Sequence, residues 1–518
     1  MRSATISTQG GRRSLVLSDV LRHVSVSALV VTGLVVLAIF LRAYQLEPYA
    51  YVPDQYDRLL DARLMLSGKL PESQIYPPGA ALVLVLPIAI FSASLMTIQA
   101  VTAAFGIALV PLAYLGVARL TGDRRAAVLL AGFCALSPLL ILYSRAGYFD
   151  VVITFLVALA VFLVPALRGR SLLAFVGYGL LLALLVNFRP SNAVLLPGLA
   201  LYWLALSGAG LRPTSILREL LSAPLLTFAA TFAAVCAISV VAGQWFGGGY
   251  SGLVSFERFL PNLLGYLAYM ASDWLGPLVV PPAVYGALTL WRTNRPLFGA
   301  VAWILCAWPL AHAPFLFEDG RYMAPPLFFT MLLAALGFSA LLRPAGAARS
   351  LAPKVVTVYA AMSLALLALM FGINAALVPS GWHDNATESD AGLAGEMRPV
   401  VERLGSDAVL VSSVTRALAD VKPQPEFFDL FDRSLAYKDR LEGATVNAQA
   451  MREALDAGRD VYYLYSHMEA DDTRIGGVFD GHDVYFDVVS REFSLTEVYH
   501  TEALRNGRTP WVLYRVAE

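Results

Sequence analysis

Three aspartates open the first long polar stretch of the chain, YVPDQYDRLLDARLMLSGKLPESQIYPPG at 51–79: Asp54, Asp57 and Asp61. On a helix that starts at Asp54 they stand at i, i+3 and i+7 and share a face. Tyr56, Leu59, Leu60 and Leu64 take another face, so the pattern predicts a short helix at a membrane surface with its acids turned toward a cavity. A carboxylate there can serve as general base on a hydroxyl or can hold a metal ion. Its plainer role is to solvate the helix, with Arg58 pairing to Asp54 one turn away. Asp150 closes SRAGYFD, downstream of Arg145, where a helix N-cap is the plainer role. Arg189 stands in NFRPSN, and Arg321 and Tyr322 stand in FEDGRYMAPP. A guanidinium fork suits a phosphate or diphosphate because it makes paired charged hydrogen bonds. Snorkelling to headgroups competes for Arg189, and ion pairing to Glu318 and Asp319 competes for Arg321. Lys69 and Tyr76, in the first loop, are placed to reach the same anion. His383 reads as loop, as does Asn385-Ala386-Thr387, which fits a glycosylation sequon.

The elements that must position these residues are membrane helices. The 518 residues are 58% hydrophobic and 15% charged, which marks a polytopic membrane protein. The formal net charge is zero, so nothing points to nucleic acid. Cys134, Cys236 and Cys306 lie inside apolar runs and read as small core residues, without disulfide or zinc spacing. Apolar runs fall near 23–42, 80–95, 97–118, 126–143, 151–167, 171–187, 192–207, 222–243, 275–291, 296–316, 323–342 and 354–377. The first reads as an uncleaved signal anchor behind a basic tail, 1–22. Basic residues then assign the cytoplasmic side: Arg12, Arg13 and Arg22, and the later loops carrying Arg124/Arg125, Arg168/Arg170, Arg212/Arg218, Arg292/Arg295 and Arg343/Arg349. All of them share one side only if 80–95 dips in and returns. Pro77-Pro78-Gly79 and Pro87 favour such a broken, re-entrant segment. The expectation is about 11 crossings, with the N-terminus cytoplasmic and the C-terminus outside. Mixed charges then concentrate in the outward loops, including 43–79, 144–150, 188–192 and 317–322, where chemistry is expected.

The membrane domain is assigned to 23–378, and a charged remainder, 379–518, is expected to form a small extracytoplasmic α/β domain. Strands are expected at 408–413, 461–465, 484–489, 495–500 and 511–516, and helices at 391–404, near 430–441 and at 448–457. Gly476-Gly477 lacks the spacing of a dinucleotide fingerprint.

In order, the motifs are an early aspartate in the first outward loop, Y-x-P-G, SR followed by an Asp that opens a span, and R-Y-x-x-P near the late spans. This order resembles the polyprenyl-phosphate-dependent glycosyltransferases of the GT-C fold, closest to the protein O-mannosyltransferase and lipid A aminoarabinose-transferase groups. The resemblance covers roughly 20–345. It implies a first-loop base at Asp54; the group's usual Asp-Glu pair is Asp54-Gln55 here, so Asp57 stays a candidate. It implies a second acid at Asp150, preceded by Arg145, and a lipid-phosphate site near Arg321 and Tyr322. The implied reaction moves a sugar from a polyprenyl-phosphate donor to a hydroxyl of a protein, lipid or glycan acceptor at the outer face, with inversion. Some relatives use a divalent cation, Mg or Mn, for which Asp54 and Asp150 are the candidate ligands. The rival class is a multi-pass transporter or lipid flippase, which should carry ionisable residues in mid-membrane. The middles of these runs hold almost none.

Overall fold

The computed structural model describes residues 26–44, 54–69, 77–208, 213–241, 256–270, 276–315, 320–342, 357–373, 390–412, 425–430, 440–466, 482–502 and 511–518, with Leu46 and Leu418. The basic tail, Tyr76, His383, the sequon and the boundary at 378/379 lie outside the described residues, as do Glu318 and Asp319.

The membrane part runs α1 (Val26–Ala43), α2 (Asp54–Leu66), α3 (Gly79–Ile90), α4 (Leu95–Thr121), α5 (Arg124–Leu136), α6 (Pro138–Arg145), α7 (Asp150–Leu163), α8 (Leu172–Phe188) and α9 (Leu195–Ser207). It continues with α10 (Pro213–Leu220), α11 (Ala223–Val241), α12 (Phe259–Ala268), α13 (Gly276–Thr293), α14 (Arg295–His312), α15 (Ala324–Leu341) and α16 (Thr357–Ile373). Helix ends follow local chemistry. Ser94 accepts from Thr97 N to start α4, and Gly122 ends it in the left-handed region at φ 69°. Asp123 then caps α5 through the amides of Arg125 and Ala126. Pro138, with no N–H, breaks the next run into α5 and α6, bent by 50°.

Among the described residues, four helices are long and apolar enough to cross a membrane, or six if each bent pair is one span. The reading from composition was about 11 crossings, and a break such as Ser137-Pro138 divides an apolar run into shorter helices.

α3 is a short helix that meets other elements at both ends. Arg42, at the end of α1, reaches Ser144 of α6, and Gly106, within α4, lies against the same pair. The start of α3 abuts the end of α8, where a Cβ on Gly79 would meet the Asn187 backbone at 2.5 Å. Just past its other end, the Ala93 carbonyl accepts from Arg63 of α2. With 12 residues α3 is about 18 Å long, too short to cross. Ala80, Ala81, Leu84 and Ile88 are buried, while Leu82, Leu86 and Ile90 are exposed.

On α2 an expected acid-face residue and an expected apolar-face residue, Asp61 and Leu59, are both buried. The buried stripe of α2 runs Gln55, Arg58, Leu59, Ala62, while Leu64 is half-buried. The helix therefore packs a polar face onto the protein, because the loop at 146–149 offers polar and aromatic partners there.

α13 and α15 approach closely through glycines: a Cβ on Gly286 would lie 1.8 Å from the Leu333 carbonyl oxygen, and one on Gly337 1.8 Å from that of Pro282.

The C-terminal unit is a five-stranded sheet, β1 (Val409–Ser412), β2 (Glu426–Asp429), β3 (Val461–Ser466), β4 (Ser494–His500) and β5 (Trp511–Ala517), in the order β2-β1-β3-β5-β4. β1 pairs parallel with β2 and β3, and β5 pairs antiparallel with β3 and β4. Val409 and Val411 share an apolar cluster with residues of α18 (Arg440–Asp456) and α19 (His482–Glu492); Leu410 shares one with Met397 and Val401 of α17 (Asp390–Leu404). The strand expected at 484–489 is helical, in α19. Tyr485, Val489 and Phe493 are buried at i, i+4 and i+8, and packing at that period overrides the β preference of its valines and aromatics. β2 was not expected. Most of the helix expected near 430–441 lies outside the described residues.

Substituting Leu at Gly286 or Val at Gly337 should force α13 and α15 apart at a cost on the order of 3 kcal/mol or more. A lower thermal midpoint of the detergent-solubilised protein would register it; an unchanged midpoint would contradict this packing.

Candidate functional site

Asp150 is the first residue of α7, where a carboxylate is favoured by the helix N-terminus. It is 2% exposed. Pro190 disfavours the helical region for the preceding residue, so Arg189 is extended at φ −155° and ψ 128° and α8 stops there. Asn192 donates to the Leu185 carbonyl and secures that end. The Arg189 guanidinium then meets Asp150 Oδ1 at 2.6 Å. Burial opposes the charge on Arg189, but the Asp150 carboxylate outweighs it and holds the pKa above the ordinary arginine value.

Arg321 lies on a single 3-10 turn, Gly320–Met323, and α15 begins behind it with Pro325 and Pro326 in its first turn. Trp308 Nε1 donates to the Tyr322 carbonyl and fixes the turn. Asn262 of α12 donates to the carbonyls of Ala313 and Phe315 and holds the approach to it. The Arg189 guanidinium carbon is 4.3 Å from the centroid of the Tyr322 ring, and that of Arg321 is 5.4 Å from it. Arg321 also lies 4.9 Å from the Tyr148 ring centroid. Cation–π contact thus gathers two guanidiniums around shared aromatic faces.

His312 ends α14 beside this cluster and is fully buried. Its Nδ1 is 2.9 Å from the Trp308 carbonyl, which can only accept, so Nδ1 carries the proton. Nε2 therefore accepts from the Ser191 hydroxyl at 3.1 Å. The imidazole stacks on Trp308 and leans on Tyr322. Neither His312 nor Ser191 was foreseen; a lone histidine in an apolar run gives no spacing signal, and Ser191 was visible only as a loop neighbour of Arg189.

α2 docks on the Asp150 loop. Gln55 Nε2 donates to the Ala146 carbonyl, and the Arg58 guanidinium carbon lies 5.5 Å from the Phe149 ring centroid. Gly147, at φ 80°, lets the two segments meet: a Cβ there would sit 3.2 Å from Gln55 Nε2. Asp54 and Asp57 are on this helix, with side chains outside the described residues.

The structure thus brings Asp150, Arg189, Arg321 and Tyr322 together and sets the Asp54 helix against their loop. Arg145 turns elsewhere: Nη1 donates to the carbonyls of Tyr44, at 2.7 Å, and Leu41, at 3.3 Å. Those carbonyls belong to the end of α1, which needs donors. Lys69 is exposed just beyond the far end of α2. Among the described residues no three His, Cys, Asp or Glu side chains gather as a metal set.

A multi-pass bundle with its polar residues at one end beside a short apolar helix, and a small mixed sheet appended, has the GT-C fold. The likeness is to ArnT from Cupriavidus metallidurans. The structure of ArnT bound to undecaprenyl phosphate superposes with a TM-score of 0.60 at 14% identity, covering 95% of this chain and 98% of that one. The apo structure of ArnT gives 0.62, with the same identity and coverage. No protein-family model and no curated protein matches the sequence.

Substituting Leu for Arg189 leaves the Asp150 carboxylate buried and unpaired, at a cost on the order of 3 kcal/mol. Adding Asp150→Asn to Arg189→Leu should return part of that loss. A double-mutant cycle on thermal midpoints checks it, and strict additivity would contradict the pairing.

Proposed function

We propose that this protein is an integral membrane glycosyltransferase that moves a sugar from a polyprenyl-phosphate-linked donor to an acceptor hydroxyl on the extracytoplasmic face. The carrying observation is the convergence of Arg189, Arg321, Tyr322 and Asp150 from separate loops at one end of a GT-C bundle. The ArnT structure bound to undecaprenyl phosphate supports a donor of that lipid class. In this orientation the site end and the C-terminal domain face outward and the N-terminus is cytoplasmic.

The donor phosphate lies against the guanidiniums of Arg321 and Arg189, which present charged N–H groups to its oxygens. Lys69, Tyr76 and Arg145 are further candidates for that contact; the bonds of Arg145 to α1 favour a positioning role for it. A first-loop carboxylate, Asp54 with Asp57 as its alternative, takes the proton from the acceptor hydroxyl. The oxygen attacks the anomeric carbon as the bond to the phosphate oxygen breaks, and polyprenyl phosphate leaves with its negative charge stabilised by the arginines. Direct displacement inverts the anomeric centre. Asp150, in contact with Arg189, keeps that guanidinium aimed. Asp54 and Asp150 are the candidate ligands for a divalent cation, Mg or Mn, and the steps above are written for the chain's own residues alone. Loss of transfer on chelation, restored by either ion, would add the cation to them.

Purified protein should release polyprenyl phosphate from one member of a panel of polyprenyl-phosphate sugars. Asp54→Ala should lower that turnover by about 10²-fold or more while the protein stays folded and inserted, and Asp57→Ala is the companion variant. Full activity in both would remove the first-loop base. Arg321→Ala should chiefly raise KM for the donor.

A further inference from the structure

Arg42 takes no part in the reaction above, yet it is fully buried at the end of a membrane helix. Among the described residues no carboxylate pairs with it. Its Nη2 donates to the Cys134 carbonyl at 2.7 Å, its Nη1 to that of Ala135 at 3.0 Å, and its Nε to Ser144 Oγ at 3.3 Å. These acceptors surround the break between α5 and α6. In an unbroken helix the Cys134 carbonyl would accept from residue 138, which is proline and has no N–H. Arg42 supplies the missing donor from a different helix.

The contact is reciprocal. Arg145, the last residue of α6, donates to the carbonyls of Leu41 and Tyr44 at the end of α1. Each arginine thus closes the open end of the helix that carries the other or adjoins it. α4 is shaped to admit the pair: a Cβ on Gly106 would stand 2.2 Å from Ser144 Oγ and 2.9 Å from Arg42 Nε, and Thr102 Oγ1 donates to the Ser144 carbonyl at 2.7 Å. A buried cation satisfied by carbonyls is a costly way to fill space among apolar helices. What it supplies is register. The chain leaves Tyr44 for the loop that carries Asp54, and it leaves Arg145 for the loop that ends at Asp150.

We propose that Arg42 is a positioning residue: with Arg145 it locks the start of the first acidic loop to the start of the second, so that the Asp54 helix and the Asp150–Arg189 pair keep a fixed separation. The proposal rests on the glycosyl-transfer reading for its consequence, and on geometry alone for the lock. Arg42→Met keeps the length and removes the donors; Arg42→Lys keeps a charge and at least one donor.

In the full chain in lipid nanodiscs, Arg42→Met should speed amide hydrogen exchange across 144–150 by about tenfold or more, with α13 and α15 unchanged. Turnover of the polyprenyl-phosphate sugar should fall roughly 10-fold to 100-fold, with KM for the donor within about twofold because Arg189 and Arg321 are untouched. Arg42→Lys should recover part of both losses. Wild-type exchange across 144–150 in Arg42→Met would overturn the proposal, and so would uniform loosening of the whole bundle. If Arg42→Met fails to insert, Arg42→Gln, which keeps an amide donor but not the guanidinium fork, should show the same loosening to a smaller extent, and wild-type exchange across 144–150 in it would overturn the proposal. A loosened loop in a protein that transfers no sugar even as wild type would leave the lock standing and dismiss the glycosyl-transfer reading instead.

Discussion

A carboxylate buried at the end of a membrane bundle must find a cation, and here the need is met across two loops by Arg189 on Asp150 at 2.6 Å. An unpaired charge in that setting costs several kcal/mol. The ends of α7 and α8 are therefore held together, and the guanidinium is aimed before any ligand arrives. Tyr322 takes one side of that guanidinium and brings the turn that carries Arg321 with it. His312, locked between the Trp308 carbonyl and Ser191, closes the group from α14. The polar end of the bundle is thus one connected assembly, while the helices behind it are apolar.

Prolines build much of this end. Pro138 breaks a membrane run and turns the chain toward Asp150; Pro190 ends α8 with Arg189 extended; Pro325 and Pro326 start α15 just past Arg321. Each removes a backbone donor or restricts a backbone angle, and each leaves polar groups that another segment must satisfy. At the break between α5 and α6, the carbonyls that Pro138 leaves open are met by Arg42, as the lack of water in a bilayer requires. The site stands where the helices are broken because that is where carbonyls, amides and charged side chains can meet.

Long apolar runs and the basic loops between them were legible from residue order, and so was a short helix carrying a proline within the segment at 80–95. The GT-C architecture followed from those runs together with short motifs in order. Other features were not legible. The strand expected at 484–489 is a helix because Tyr485, Val489 and Phe493 pack at helical period, a contest decided by partners distant in sequence. The bonds of Arg145 Nη1 to the end of α1 were not legible either, since the need of that helix end for donors appears only when α1 and α6 adjoin. α2 turns a polar stripe inward because Ala146 and Phe149 are there to receive it.

Hydrophobic spacing, the positions of arginine outside the apolar runs and the placing of proline are local properties, so the sequence by itself determined a membrane bundle with its acids and bases gathered in a few loops. Which acid meets which base is a matter of where helix ends lie in space. That Asp150 takes Arg189, that Arg321 shares Tyr322 with it, and that Arg42 replaces an amide missing at Pro138 were decided only by tertiary packing, because each depends on chain segments that meet across tens to hundreds of intervening residues.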